Sequence, residues 1–322
     1  VLWLLVLEAV RRAGGIPLVT LVLLFSLYPL VADKMPEVLS GMASGIAETA
    51  IYHTMSIESI LGLPFRAFAN LVIGFLVFGV ALQHTGGGRF FIDFAFALLG
   101  RVRGGPAKVA IVASGLMGSM SGSVITNVLT TGQLTIPAMQ KNGFNDHTAA
   151  GVEACASTGG VLLPPIMGST AFVMATFLEM PYYQVAIGAA IPALLYFIAL
   201  FMQLDAYAAR EGLEGLPEEE IPSMAATLRD GWYYIAAFIL LVVLLLVMQR
   251  ESLAPWAATL CLLLVNQFSS NHRFDGPKLF GFILAAGSLL IELLVILCGV
   301  GLIVGALSVT GLSGTLVNEL LY

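Results

Sequence analysis

Charge is what this sequence has least of. Of its 322 residues only 11% are Asp, Glu, Lys or Arg, against about 25% in a soluble domain whose surface must be wetted. That scarcity excludes an ordinary water-soluble globule. The 14 Lys and Arg residues stand against 20 Asp and Glu, a formal net charge of -6, so the basic excess that phosphate binding needs is missing and nucleic acid is not an expected partner. Cysteine and histidine are scarce too. Cys155, Cys261 and Cys298 show no CxxC or Cys/His spacing, which argues against a disulfide framework or a zinc site and leaves them as small core residues. His53, His84, His147 and His272 are scattered without ligand spacing and read as loop residues with surface roles. No cofactor is expected.

What fills the space is apolar. Hydrophobic residues make up 58% of the chain, and runs long enough to span a bilayer recur at Gly15–Ala32, Phe68–Gln83, Gln184–Leu204, Trp232–Met248, Leu253–Phe268 and Leu290–Val309. This predicts an all-α polytopic membrane protein. The chain opens at Val1 with no initiator methionine or visible signal peptide and stops just after a span at "VNELLY", so it reads as a fragment. With Arg11 and Arg12 cytoplasmic and the spans alternating, Arg89, Arg101, Arg103, Lys108, Lys141, Arg210, Arg229, Arg273 and Lys278 fall on the same side. Lys34, Arg66 and Arg250 fall outside, the asymmetry expected of cytoplasmic loops. That path requires residues 106–141 to enter and leave on one face, as a re-entrant helical hairpin.

The residues suit that path. Pro106, after "RVRGG", fits the first turn of a helix, and Ser114, Gly118 and Gly122 follow at four-residue spacing as a small-residue face. The helix then runs into "GSMSGS", and Asn127 to Met139 forms the returning arm. A second interruption follows. "NDHT", Asn145 to Thr148, supplies capping residues, and the helix through "AAGVEACAS" meets "TGGVLLPP". It should unwind over 158–165 and restart toward Met180, a broken helix spanning 146–180.

Interrupted backbone is tolerable in lipid only where protein buries it or it lines a watery cavity. The oxygens of Ser119, Ser121, Ser123, Asn127, Ser157 and Thr158, with the carbonyls freed at the breaks, form a candidate sodium cage. Gly122, Gly159, Gly160, Pro164 and Pro165 shape the same cation and substrate site. A small-residue patch alone is more often helix packing; two breaks at similar depth favour a site. The half-helix N-termini, partly positive, suit an anionic substrate group. Glu153, one turn before Ser157, is a candidate coupling carboxylate, with an ion pair or a snorkelling position near the cytoplasmic end as its alternatives.

A weak internal repeat aligns Gly74, Ala81, Leu82, Thr85 and Gly86 with Gly299, Ala306, Leu307, Thr310 and Gly311. The first set runs inward and the second outward, as in an inverted-topology repeat. The expected divisions are 1–66, an N-terminal span and outer amphipathic segment; 67–213, a first transport repeat; 214–230, a polar linker; and 231–322, a second repeat cut before its own hairpin.

The segment "RGGPAKVAIVASGLMGSMSGSVITNVLTTGQLTIPAMQKNGF", with "AAGVEACASTGGVLLPPIMGSTAFVMA" and "IPALLYFIALFMQLDAYAAREGL", resembles the large membrane subunit of tripartite ATP-independent periplasmic (TRAP) transporters. It is most similar to the fused permeases of the TAXI type. The match is dense from about Gly86 to Leu213 and continues more loosely through "GVGLIVGALSVTGL". The resemblance implies an elevator-type fold in a bacterial or archaeal inner membrane, a small organic solute delivered by a periplasmic binding protein, and coupling to sodium or, in some TAXI members, protons. It also implies that Ser121–Ser123 with Asn127 form the hairpin tip near a first sodium site, faced by the unwound helix at Ala156–Gly160 with Pro164 and Pro165. Thr126 and Val161 depart from the alanine-like and glutamine-like residues expected there. A second sodium site would need a hairpin beyond Tyr322.

Elsewhere, "GGGRFFIDFAFALLG" places Arg89 and Asp93 four apart on a helix suited to the cytoplasmic interface, and Glu292 reads as interfacial. Pro36 to Ile60 reads as an amphipathic outer-surface segment, and the acidic run in "DAYAAREGLEGLPEEEIP" as a solvated connection. The competing function, a membrane-embedded hydrolase or lipid transferase using the serines, lacks a membrane-located base.

Overall fold

The computed structural model describes residues 1–36, 39–268 and 274–314. Among these, thirteen α-helices run in order: α1 Leu2–Leu27, α2 Ile46–Met55, α3 Leu63–Ala67, α4 Ile73–His84, α5 Gly87–Leu99, α6 Gly105–Ser121, α7 Val124–Lys141, α8 Asp146–Gly160, α9 Ser169–Phe177, α10 Tyr182–Glu211, α11 Met224–Val242, α12 Ala254–Phe268 and α13 Gly276–Val309. Five stretches are long and apolar enough to cross a membrane: Leu2–Leu30, Leu63–His84, Tyr182–Glu211, Glu218–Val247 and Gly276–Val309. The chain is thus an all-helical, multi-pass membrane protein by length and composition. The expected span at Leu253–Phe268 is the 15-residue α12, shorter than these five.

The chain divides into two compact units, Val1–Ile73 with Thr176–Glu179 and Gly287–Tyr322, and Gly74–Ala175 with Met180–Ala286. In the first, α1 is not straight. Gly15 takes φ 75° and ψ -174°, open to glycine and strained for other residues, and the chain turns back there. Val10 and Val22 both approach Gly299, at 3.0 and 3.3 Å from where its Cβ would stand, whereas a continuous helix would hold them about 18 Å apart. Trp3, Val6, Leu7, Val10 and Val22 from both arms pack with Ile60, Cys298 and Leu302.

His53 belongs to that core and corrects the expectation of a surface loop residue. It lies in α2, is fully buried, and has Nε2 3.0 Å from the Ser26 carbonyl and Nδ1 2.8 Å from Ser59 Oγ. A carbonyl can only accept, so Nε2 carries the proton and Nδ1 accepts from Ser59 in the neutral ring. Burial pulls its pKa below the usual 6.5. His84 is half-buried with Nδ1 3.1 Å from the Val80 carbonyl, His147 is exposed, and His272 and Arg273 lie outside the described residues.

The second unit holds the hairpin. The core of Ala107, Ala110, Ile111, Met139, Phe144, Ala149, Val152, Ala156 and Leu204 joins α6, α7, α8 and α10. Lys108, buried at the base of α6, pairs with Asp205 of α10 beside Arg103 and lies 5.0 Å from the Phe201 ring. Arg89 and Asp93 form the expected pair on α5 at 3.8 Å; burial raises the Asp93 carboxyl pKa and Arg89 opposes the shift.

The acidic segment after α10 is solvent-exposed, as expected, but it is also tied to the elements beneath it. The Leu216 amide donates to the Gly100 carbonyl at 2.8 Å, the Gly104 amide to Leu213 at 3.2 Å, and Asn142 Nδ2 to the Glu214 carbonyl at 2.8 Å. Arg101 meets Glu218 and Lys141 meets Glu220, both at 2.6 Å. The segment is a strap across the bases of both hairpin arms. Its acidic residues face Arg101 in the turn between α5 and α6 and Lys141 at the end of α7, a pairing that the charge run alone does not reveal.

One local motif occurs in each unit. Thr85 Oγ1 donates to the Ala81 and Leu82 carbonyls at 2.9 and 3.1 Å, and Gly86 follows with φ 94°. Thr310 Oγ1 makes the same bonds to Ala306 and Leu307 at 2.9 and 3.2 Å, and Gly311 follows with φ 75°. The Thr85 carbonyl accepts the Tyr234 hydroxyl, and the Thr310 carbonyl accepts the Met42 amide. These are the positions that the sequence repeat aligns.

Candidate functional site in the hairpin and the broken helix

The hairpin turns on two residues. Gly122 ends α6 at φ 63°, and a Cβ there would stand 2.5 Å from the Met167 carbonyl. Ser123 starts α7 with its Oγ accepting the Thr126 amide at 3.3 Å, an N-cap that α8 repeats with Asn145 Oδ1 and the Thr148 amide at 2.7 Å. The broken helix gives way at Val161, not at Thr158: residues 158–160 stay helical, and the non-helical stretch 161–168 carries Pro164 and Pro165. Its two glycines serve close approach. A Cβ on Gly118 would lie 2.5 Å from Gly160 Cα, and one on Gly160 2.6 Å from the Ser114 carbonyl. Hairpin and broken helix therefore cross backbone to backbone, as small-residue helix contacts in membranes do.

At that crossing Asn127 is 1% exposed. Its Nδ2 donates to the Ser114 carbonyl at 2.8 Å, while its buried Oδ1 has no partner. A flipped amide would set oxygen against oxygen, so the free group is the acceptor. Leaving a buried acceptor unmet costs about 1–3 kcal/mol.

Glu153 of α8 is wholly buried close by. Its Oε1 accepts from Ser114 at 2.8 Å, Ser157 at 3.1 Å and Thr131, and its Oε2 accepts from Thr135. Among the described residues no Lys, Arg or His pairs with it, so the ion-pair alternative is not what the structure holds, and full burial excludes a snorkelling position. The carboxylate ties α6, α7 and α8 together through neutral hydroxyls. Thr131 Oγ1 also lies 2.8 Å from the Asn127 carbonyl and Thr135 Oγ1 3.0 Å from the Thr131 carbonyl. Each hydroxyl has one proton, so whatever it gives the helix it withholds from the carboxylate.

The six expected sodium ligands separate into groups. Ser119 Oγ donates to the Leu116 carbonyl at 2.8 Å, and Ser121 Oγ touches the Ser123 backbone at 3.4 Å, both near the tip. Ser157 belongs to the Glu153 cluster. Thr158 is exposed on α8 and donates to the Ala154 carbonyl at 2.7 Å. Ser114, Thr131 and Thr135 were not among the expected site residues. A signal was available: Ser123, Asn127, Thr131 and Thr135 recur every four residues, a polar stripe on one face of α7.

The whole chain, residues 1–322, matches the model of the family described as the tripartite ATP-independent periplasmic transporter, DctM component. It is 28% identical over 194 residues, 60% of this chain and 42% of the relative, to the C4-dicarboxylate TRAP transporter large permease protein DctM of Pseudomonas aeruginosa. It is 31% identical over 175 residues, 53% of this chain and 38% of the relative, to the protein of that name in Vibrio cholerae. It is 29% identical over 171 residues, 52% of this chain and 27% of the relative, to the sialic acid TRAP transporter permease protein SiaT of Haemophilus influenzae. The chain thus spans less than half the length of these curated relatives. With hairpin, break and buried polar crossing on a chain matched end to end, this protein belongs to the DctM component family of tripartite ATP-independent periplasmic transporters.

Proposed function

We propose that the chain is part of a permease that carries a small, carboxylate-bearing solute across the inner membrane, taking it from a periplasmic binding protein and driven by a cation gradient, sodium or protons. The observation that carries this reading is the orphaned Asn127 Oδ1 at the glycine crossing, beside a buried Glu153 carboxylate with no ion pair. A buried amide acceptor with no donor and a buried acidic side chain met only by neutral hydroxyls are groups on which a coupling cation would act. The relatives named for C4-dicarboxylates and for sialic acid support a carboxylate cargo. The N-terminus of α7, opening at Ser123, suits such a group. The TAXI subtype and an elevator movement of the hairpin unit belong to the same proposal.

The test is labelling of cysteines introduced at Ser123 and at Thr158 in the full-length protein. Sodium, or acid pH in a proton-coupled member, should slow the labelling. Rates blind to sodium, lithium and pH alike would end the cation-site reading.

A further inference from the structure

We propose that the Tyr182 hydroxyl is a positioning group for this site, holding the unwound backbone of 161–168 against the hairpin. The inference rests on the reading of hairpin and break as the transport site. The unwound segment has little means of fixing itself. Pro164 and Pro165 carry no N–H, and Met167 sits at φ 58°, where a side chain is rarely accommodated. Its local bonds are few: the Leu162 amide to Gly159 at 3.0 Å, Leu163 to Gly160 at 3.2 Å, and Gly168 to Val161 at 2.8 Å.

Two groups from neighbouring helices, a carbonyl of α6 and a hydroxyl of α10, also hold the segment. The Ile166 amide donates to the Ser119 carbonyl of the hairpin at 3.1 Å. The Tyr182 hydroxyl donates to the Pro165 carbonyl at 2.8 Å and stands equally within reach of the Ile166 carbonyl. Ile166 is therefore gripped from both sides, its amide by α6 and its carbonyl by α10.

Tyr182 is itself fixed. It is wholly buried, stacks on Phe172 at 4.2 Å and 14°, and lies 5.6 Å from the Phe75 ring. The next amide, Tyr183, donates to the Glu251 carboxylate at 3.0 Å and pins the start of α10. A phenylalanine would fill the same ring stack, so packing alone does not call for the hydroxyl. One proton facing two carbonyls can also pass from one to the other, so the grip survives a small shift of the break. A rigid peg would not allow that.

The experiment uses the full-length protein with Tyr182→Phe, which keeps the ring and removes the donor. Amide exchange at Ile166 and Gly168 should quicken about tenfold, the equilibrium equivalent of one hydrogen bond, with α8 and α10 amides unchanged. The sodium concentration that half-protects a cysteine at Thr158 should rise by a similar factor. A 3-fluorotyrosine at 182, whose more acidic phenol is the stronger donor, should reverse both changes and take exchange at Ile166 below the parent rate. Unchanged exchange at the two amides, or a uniform rise through α8 and α10, would overturn the proposal, since uniform loosening is what a purely structural residue gives. Should sodium protect nothing in the parent protein, the cation site fails while exchange at Ile166 still judges Tyr182. Should Tyr182→Phe not fold, the fluorinated ring decides alone: its more acidic phenol must slow exchange at Ile166, and an unchanged rate refutes the role.

Discussion

Gly118 and Gly160 leave no room for a side chain where the hairpin crosses the broken helix. With Gly160 Cα 2.5 Å from a Cβ on Gly118, the neighbouring atoms are backbone and cannot step aside. Gly118→Ala should therefore cost at least the roughly 1–3 kcal/mol of ordinary overpacking. Gly151, with nothing within 4 Å of its Cβ position, should tolerate alanine; thermal melting of the two variants in detergent makes the comparison. Glu153 poses a different question, one of charge. Glu153→Gln keeps the volume but turns an acceptor-only group into one that also donates, against hydroxyls already placed to donate. Cation-driven uptake in proteoliposomes should fall by about tenfold or more if the carboxylate is the coupling charge. Thr135→Val removes a single donor; it should mainly lower stability, by about 1–3 kcal/mol, and leave most uptake.

At the scale of elements, the strap over the hairpin bases is held by exposed pairs and by backbone bonds. Each exposed pair contributes only about 0–1 kcal/mol, so reversing Glu218 alone should do little. Reversing Glu218 and Glu220 together should raise the labelling rate of a cysteine at Gly215, and adding Arg101→Glu and Lys141→Glu should bring the rate back down. Raised salt should mimic the first pair and have less effect on the parent backbone contacts. The strap also shows where the sequence was silent. "EGLEGLPEEEIP" carries no sign that Leu216 will bond Gly100 across more than a hundred residues, because such pairing is decided by the packed ends of α5, α6 and α7. The breaks were legible for the opposite reason. Glycine at positive φ and paired prolines act locally, so Gly122 and Pro164–Pro165 declared themselves. The onset of unwinding was misplaced by three residues, since Gly159 and Gly160 are there for contact and not for flexibility. Within the site, the six oxygens chosen by type fell into separate groups; the four-residue stripe on α7, a statement about one face, marked the Glu153 partners better.

Across the whole molecule, the buried histidine makes one unit answer to acid. The folded His53 has a pKa lowered by burial, so between its ordinary 6.5 and that lower value the unfolded chain binds more protons than the folded one. Stability is then complete above pH 6.5 and declines as pH falls through this window. Hydrogen exchange in α1 and α2 should show the decline, and His53→Gln should flatten it, leaving the exchange of α6 and α8 without that dependence. The membrane class and the hairpin segment could be seen from composition and charge asymmetry. The His53 core could not, because nothing in a lone histidine announces Ser26 and Ser59 as its partners.

The turn at Gly15 changes the count of crossings. Since Trp3 and Ser26 both flank the His53 ring, the opening apolar stretch folds back on itself, and its two ends should lie on one side of the bilayer where those of a straight rod would lie on opposite sides. Cysteines at Leu2 and Tyr28 should accordingly react with the same impermeant reagent from the same compartment, and every later sidedness assignment inherits that parity.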